Sequence, residues 1–114
     1  MTTDRFADRI RALALSFPET YEDEPWGHPV FKVSENRMFG SMSSESPVRL
    51  TVKLTRKERE IAMLLPIVSI ARYVGRYGWI TAEMTDEESL EAALEWLRES
   101  YWLKAPAHLR KAVE

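Results

Sequence analysis

The chain has 114 residues, 30% of them charged and 45% hydrophobic, with a formal net charge of −2 and no cysteine. That length suits one domain spanning residues 1–114. The charge balance excludes a polyanion binder over the whole surface and leaves nucleic-acid contact to a local basic face. Without cysteine there is no disulfide frame and no thiolate nucleophile. The two histidines, His28 and His108, are too few for a zinc site without carboxylate help.

The N-terminal residues show no basic segment followed by an apolar run, so no signal peptide is read there. The longest apolar stretch, Ile61 to Ile70, is broken by Pro66 and Ser69 and is far short of a membrane span. A cytoplasmic location is the resulting expectation. Thr2 or Thr3, with Asp4 beside it, is placed to cap a first helix. Phe6, Ile10, Leu13 and Phe17 then recur at helical spacing, and the helix must end before Pro18. Glu19 to Pro29 holds four acidic residues, two prolines and a glycine, and reads as an extended, turn-rich segment.

Val30–Val33 and Arg37–Met42 form a predicted hairpin around Glu35-Asn36. Val48 to Leu54 alternates cleanly, with Val48, Leu50, Val52 and Leu54 facing a core and Arg49, Thr51 and Lys53 facing away. Thr55 and Glu58 predict a capping box opening a helix from Arg56 to about Leu65, stopped by Pro66. Ile67 to Tyr73 reads as a turn or short helical piece. Gly75 and Gly78 then bracket Arg76 and Tyr77, and a strand follows in which Ile80, Ala82 and Met84 share one side. Trp79 falls on the other side, which predicts an exposed recognition residue beside Arg76 and Tyr77. Thr85 and Glu88 repeat the capping-box pattern before a long helix with Leu90, Ala93, Leu94, Leu97 and Tyr101 on its buried stripe. Pro106 opens a last short helical piece. Strands grouped between helices indicate an α+β fold, an antiparallel sheet packed on one face by the N- and C-terminal helices.

Three elements in this order resemble MmcQ/YjbR-like proteins: Pro18–Val33 (PETYEDEPWGHPVFKV), Tyr77–Ile80 (YGWI) and Glu99–Tyr101 (ESY). The resemblance implies a frataxin-like α+β fold, also described as a double wing, and carries a DNA-binding label. It brings no catalytic motif, no cofactor and no metal.

The residues themselves offer two binding surfaces. From Arg49 to Arg76 there are seven basic side chains against two acidic ones, and from Glu83 to Glu99 seven acidic against one basic. A face combining Arg49, Lys53, Arg72 and Arg76 with Tyr73, Tyr77 and Trp79 would hold phosphates and stack on bases, making DNA the first expected partner. Alternatively, Trp26, His28, Trp79 and Tyr101 would enclose an aromatic cleft for a small ligand or a protein partner. A metal or acid–base role for His28 beside Glu22, Asp23 and Glu24 matches no standard ligand spacing. Ser100 lacks an evident His–Asp pairing, and Gly75 to Gly78 is too short for a phosphate loop and is not followed by a helix. The sequence therefore predicts a non-enzymatic binding protein, taken as a monomer.

Overall fold

The computed structural model describes residues 2–43 and 45–113, apart from the side chains of residues 2–4, 112 and 113. Among these, three α-helices and six strands occur in the order α1 (Thr2–Ser16), β1 (Thr20–Asp23), β2 (Val30–Val33), β3 (Arg37–Met42), β4 (Arg49–Lys53), α2 (Arg56–Ala62), β5 (Val68–Ile70), β6 (Trp79–Glu83) and α3 (Glu87–Lys104). Short 3-10 segments cover Gly75–Tyr77 and Ala107–Val113. The strands form one antiparallel sheet ordered β1-β2-β3-β4-β6-β5. Helices α1 and α3 pack together, α3 lies across β3 and β4, and α1 lies against β1. The fold is α+β, as the grouping of strands predicts. Among the described residues no helix is long and apolar enough to cross a membrane.

The core lies between the sheet and these helices. Ile10 of α1, Phe31, Phe39, Leu50 and Ile80 of the sheet, and Leu90, Leu97 and Tyr101 of α3 are fully buried. Val48, Leu50, Val52 and Leu54 are all buried, so the alternation of that segment reports its faces correctly. Tyr101 meets Phe17 at 4.5 Å and the edge of Phe39 at 5.3 Å between ring centroids, and its hydroxyl donates to the Pro18 carbonyl.

One irregularity shapes the middle of the sheet. Phe31 pairs with Gly40 and Lys32 with Met38, so Phe39 is the extra residue of a β-bulge. Phe39 enters the core, and Gly40 gives α3 room: a Cβ on Gly40 would sit 3.2 Å from Leu97 Cδ1. The buried Ser100 hydroxyl donates to the Phe39 carbonyl at 2.6 Å and accepts the Lys53 N–H at 2.9 Å. It thus satisfies two backbone groups just beyond the β3–β4 ladder, which ends at Gly40–Val52. The Ser100 hydroxyl is thereby committed to two backbone groups.

Several expectations are corrected. The Glu19–Pro29 segment contains an edge strand, β1, whose acidic residues are compensated laterally: Glu22 accepts from Arg11 at 2.7 Å and Asp23 from Lys32 at 2.9 Å. The Ile67–Tyr73 segment contains β5, an edge strand held by β6 rather than by its own pattern. Helix α2 ends at Ala62, well before Pro66. Thr55 caps it by accepting from Glu58 N, but the Thr55 N–H points to Glu99 instead of Glu58, so the box is half formed. In α3 the reciprocal cap is Asp86 with Ser89, not Thr85 with Glu88. A serine at that third position returns the bond as a glutamate would. The cap expected from Thr2, Thr3 and Asp4 falls on side chains outside the described residues.

Candidate functional site

Strand alternation sends Met38, Ser41, Arg49, Thr51, Thr81 and Glu83 to the face away from α1 and α3. Thr51 stands opposite Ser41 on one side and Thr81 on the other. The Thr51 and Thr81 hydroxyls hydrogen-bond to each other at 2.8 Å. Two loops rise beside this polar floor. One is Trp26–Gly27–His28, reversed at Gly27 (φ 83°) between Pro25 and Pro29. The other is Ala71–Val74, leaving the end of β5.

Between the loops runs a groove with two adjoining parts that share His28, Ser41, Thr51, Arg72 and Thr81. The first, about 540 Å³, continues along Ser43, Glu45 and Arg49 and is polar. The second, about 630 Å³, is walled by Trp26, Met38, Ala71, Tyr73 and Val74 and is largely apolar. Both volumes fall in the range of small-molecule sites. Trp26 and His28 lie with ring centroids 6.0 Å apart and 33° between planes. Trp26 is 69% exposed and Tyr73 90%, unusual for such large rings.

Tyr73 is also conformationally strained. Its φ is +66°, and the Val74 N–H donates back to the Arg72 carbonyl at 2.7 Å. That is the rare form of γ-turn, which costs a bulky residue on the order of 1–3 kcal/mol. The Arg72 guanidinium lies 5.8 Å from the Tyr73 ring centre. Four residues on, Arg76 repeats the arrangement over Tyr77 at 4.9 Å and donates to its hydroxyl at 2.8 Å.

The two residue sets expected from the sequence are each divided by the fold. Of the basic set, Arg49 and Arg72 border the groove, but Arg49 is paired with Glu83 at 3.1 Å. Lys53, Arg72 and Arg76 form no ion pair among the described residues. Trp79 does not project as a recognition residue: it is 6% exposed, covered on the same side of β6 where Thr81, two residues on, lines the groove. Of the aromatic set, Trp26 and His28 line the groove, whereas Tyr101 is sealed in the core behind the sheet and Trp79 does not reach the groove. The single cleft expected from Trp26, His28, Trp79 and Tyr101 is not formed, because the sheet separates Tyr101 from the groove and Trp79 is covered.

Groove residues not singled out from the sequence as a site include Met38, Ser41, Ser43, Glu45, Thr51, Ala71, Val74 and Thr81. Their signal was present in part. Thr51 and Thr81 are the off-core residues of two well-patterned strands, but nothing local shows that those strands are neighbours. The charge segregation along the chain also resolves in space. Arg5 and Arg9 of α1 face Glu87 and Glu91 of α3, so part of the acidic helix is answered by α1. In the basic segment Arg49 pairs with Glu83 and Arg56 with Glu60. Among the described residues no group of three or more metal-binding side chains occurs.

Comparison with known proteins places this arrangement. The YjbR family model matches residues 15–103, and the chain belongs to the YjbR family. A Deinococcus radiodurans protein with a DUF419 domain is similar in structure, with a TM-score of 0.76 at 23% identity over 94% of this chain and 86% of that one. A structural-genomics target from Pseudomonas syringae has a TM-score of 0.64 at 14% identity, over 86% of this chain and 97% of that one. At these identities the likeness is one of fold. No curated protein matches the chain.

Proposed function

We propose that this chain is a non-enzymatic binding domain whose ligand lies in the groove on the open face of the sheet. The observation that carries the reading is Arg72, which forms no ion pair among the described residues and is common to both parts of a groove framed by two exposed aromatic residues. Helices cover the other face, and the open face combines a polar floor with apolar walls, as ligand sites do. An NMR screen with neutral, cationic and anionic aromatic fragments tests it. Amide shifts confined to residues 26–28, 38–41, 49–51, 71–74 and 81 are expected. Shifts elsewhere, or none with any fragment, overturn the reading.

DNA is a second reading, supported by one observation beyond the family's label. Arg72–Tyr73 and Arg76–Tyr77 present two exposed rings, each with its own guanidinium, on one loop. Such pairs suit stacking on bases with phosphates held nearby, and the binding is then weak and strongly salt-dependent. Fluorescence anisotropy with labelled single- and double-stranded DNA, at low and moderate salt, decides it. Saturable binding lost in Arg72→Glu/Arg76→Glu supports DNA, and its absence at low salt removes this reading.

A further inference from the structure

We propose that the groove selects a planar aromatic ring carrying one anionic group, with the ring between Trp26 and Tyr73 and the anion at Arg72 over the threonine floor. This rests on the groove being the ligand site and adds the class of ligand it takes.

The ring follows from the walls. A glycine or asparagine makes the turn at residue 73 with less strain, yet the position holds a tyrosine that is 90% exposed. Its hydroxyl makes no hydrogen bond among the described residues, and the Arg72 guanidinium, 5.8 Å from the ring centre, leaves most of the ring open. Trp26, on the opposite loop, is exposed as well, and Gly27 turns where a side chain would be strained at φ 83°. Tryptophan and tyrosine give large flat contacts for little loss of side-chain freedom, which suits them to hold a ring.

The single anion follows from the charge count. Arg49 is answered by Glu83, which leaves Arg72 as the groove's one arginine without a carboxylate partner among the described residues. Glu45 lines the polar part and not the apolar one, and disfavours a second negative group there. The floor adds donors. In the Thr51–Thr81 pair one hydroxyl uses its hydrogen on the other, so the second hydrogen is left for a ligand acceptor. The Ser41 hydroxyl, beside them, has no partner among the described residues and is available in the same way.

A matched set of probes tests the class: 2-naphthoate, its neutral isostere 2-naphthamide, and decanoate, an anion without a ring. Calorimetry together with amide shifts gives affinity and location. Naphthoate is expected to bind about tenfold more tightly than naphthamide, the usual gain from one charge-assisted hydrogen bond. Arg72→Gln is expected to erase that difference while leaving naphthamide binding in place, whereas Tyr73→Ala weakens both aromatic probes alike. Equal affinity for naphthoate and naphthamide overturns the proposal, even if groove shifts sustain the binding reading. Decanoate binding as tightly as naphthoate overturns it too. The same chemistry occurs in a free aromatic acid and in the phosphorylated end of a nucleic-acid strand. A 5′-phosphorylated trinucleotide that outcompetes naphthoate, with the same dependence on Arg72 and Tyr73, supports the class and assigns the strand as source. A trinucleotide that fails to compete, with the naphthoate results as expected, supports the class and assigns the free acid.

Discussion

The two faces of one sheet are built to different rules. On the helix side, Phe31, Phe39, Leu50 and Ile80 meet α1 and α3 with no exposure, and even the serine there bonds in two directions. On the other side the strands present hydroxyls, and the loops beside them hold a tryptophan and a tyrosine out in solvent. One of those loops keeps its tyrosine in a strained turn. The difference teaches where this chain gains its stability and where it gives some up. Among the described residues the two most exposed aromatic side chains, Trp26 and Tyr73, and the left-handed turn that holds Tyr73 lie on the face that the helices leave open.

The largest effect is expected from truncating each face in turn. Phe39→Ala removes a fully buried ring from the bulge and is expected to lower unfolding free energy by about 3–5 kcal/mol in urea denaturation. Met38→Ala, its neighbour on the groove side, is expected to cost less than about 1 kcal/mol because the residue is only partly buried. Similar losses at the two positions would mean that the open face is part of the core after all.

Ser100→Ala comes next. It leaves the Phe39 carbonyl and the Lys53 N–H without their partner in a buried setting, at an expected cost of about 1–3 kcal/mol. Hydrogen exchange read at Lys53 is the sharper measurement: its amide should lose protection selectively, and unchanged protection would show that the hydroxyl does not hold the bulge.

Tyr73→Gly inverts the sign. Relief of the left-handed conformation is worth on the order of 1–3 kcal/mol, against up to about 1 kcal/mol for glycine's greater freedom when unfolded. A net gain of about 1 kcal/mol in thermal or urea unfolding is expected, together with weaker binding of aromatic probes. A destabilised variant would remove the claim that this turn is strained.

How far the sequence discloses each face follows the same division. Helical spacing from Phe6 to Phe17 and from Leu90 to Tyr101, and the alternation of Val48–Leu54, record burial directly, because burial sets those patterns. β1 and β5 leave little trace: β1 is acidic and β5 has three residues, and both exist through their partners Lys32 and β6. The groove is least legible. Trp26, His28 and Arg72 are conspicuous as residue types, but their meeting depends on β4 pairing with β3 and β6 together. Trp79 misleads because alternation distinguishes the two sides of a strand and not whether the far side is covered. Tyr101 misleads in reverse, since its place on the buried helical stripe already excluded it from an open cleft.

The smallest effect separates the faces by the sign of a titration. Asp23, on the groove side of β1, accepts from Lys32 Nζ and from the Glu24 N–H, and these bonds hold its carboxyl below its ordinary value of 3.8. Glu99, on α3, is pushed above its ordinary value of 4.5, chiefly by burial, with the Thr55 N–H opposing and Glu58 adding repulsion. For Asp23 the native state favours the charged form. Its contribution is present above the unfolded value and is lost as pH falls through the native one. For Glu99 the native state favours the neutral form, so its contribution is present below pH 4.5 and is lost as pH rises through the native value. Asp23→Asn is therefore expected to be less stable than the parent at pH 6 and to converge on it in acid. Glu99→Gln is expected to gain on the parent as pH rises from 4 to 7. Unfolding temperatures for the three proteins, followed from pH 7 down to about pH 2 so that both carboxyls titrate, check both slopes. Parallel curves for Glu99→Gln would mean that water reaches its carboxylate, and that the helix side is less tightly closed at Thr55 than its packing implies.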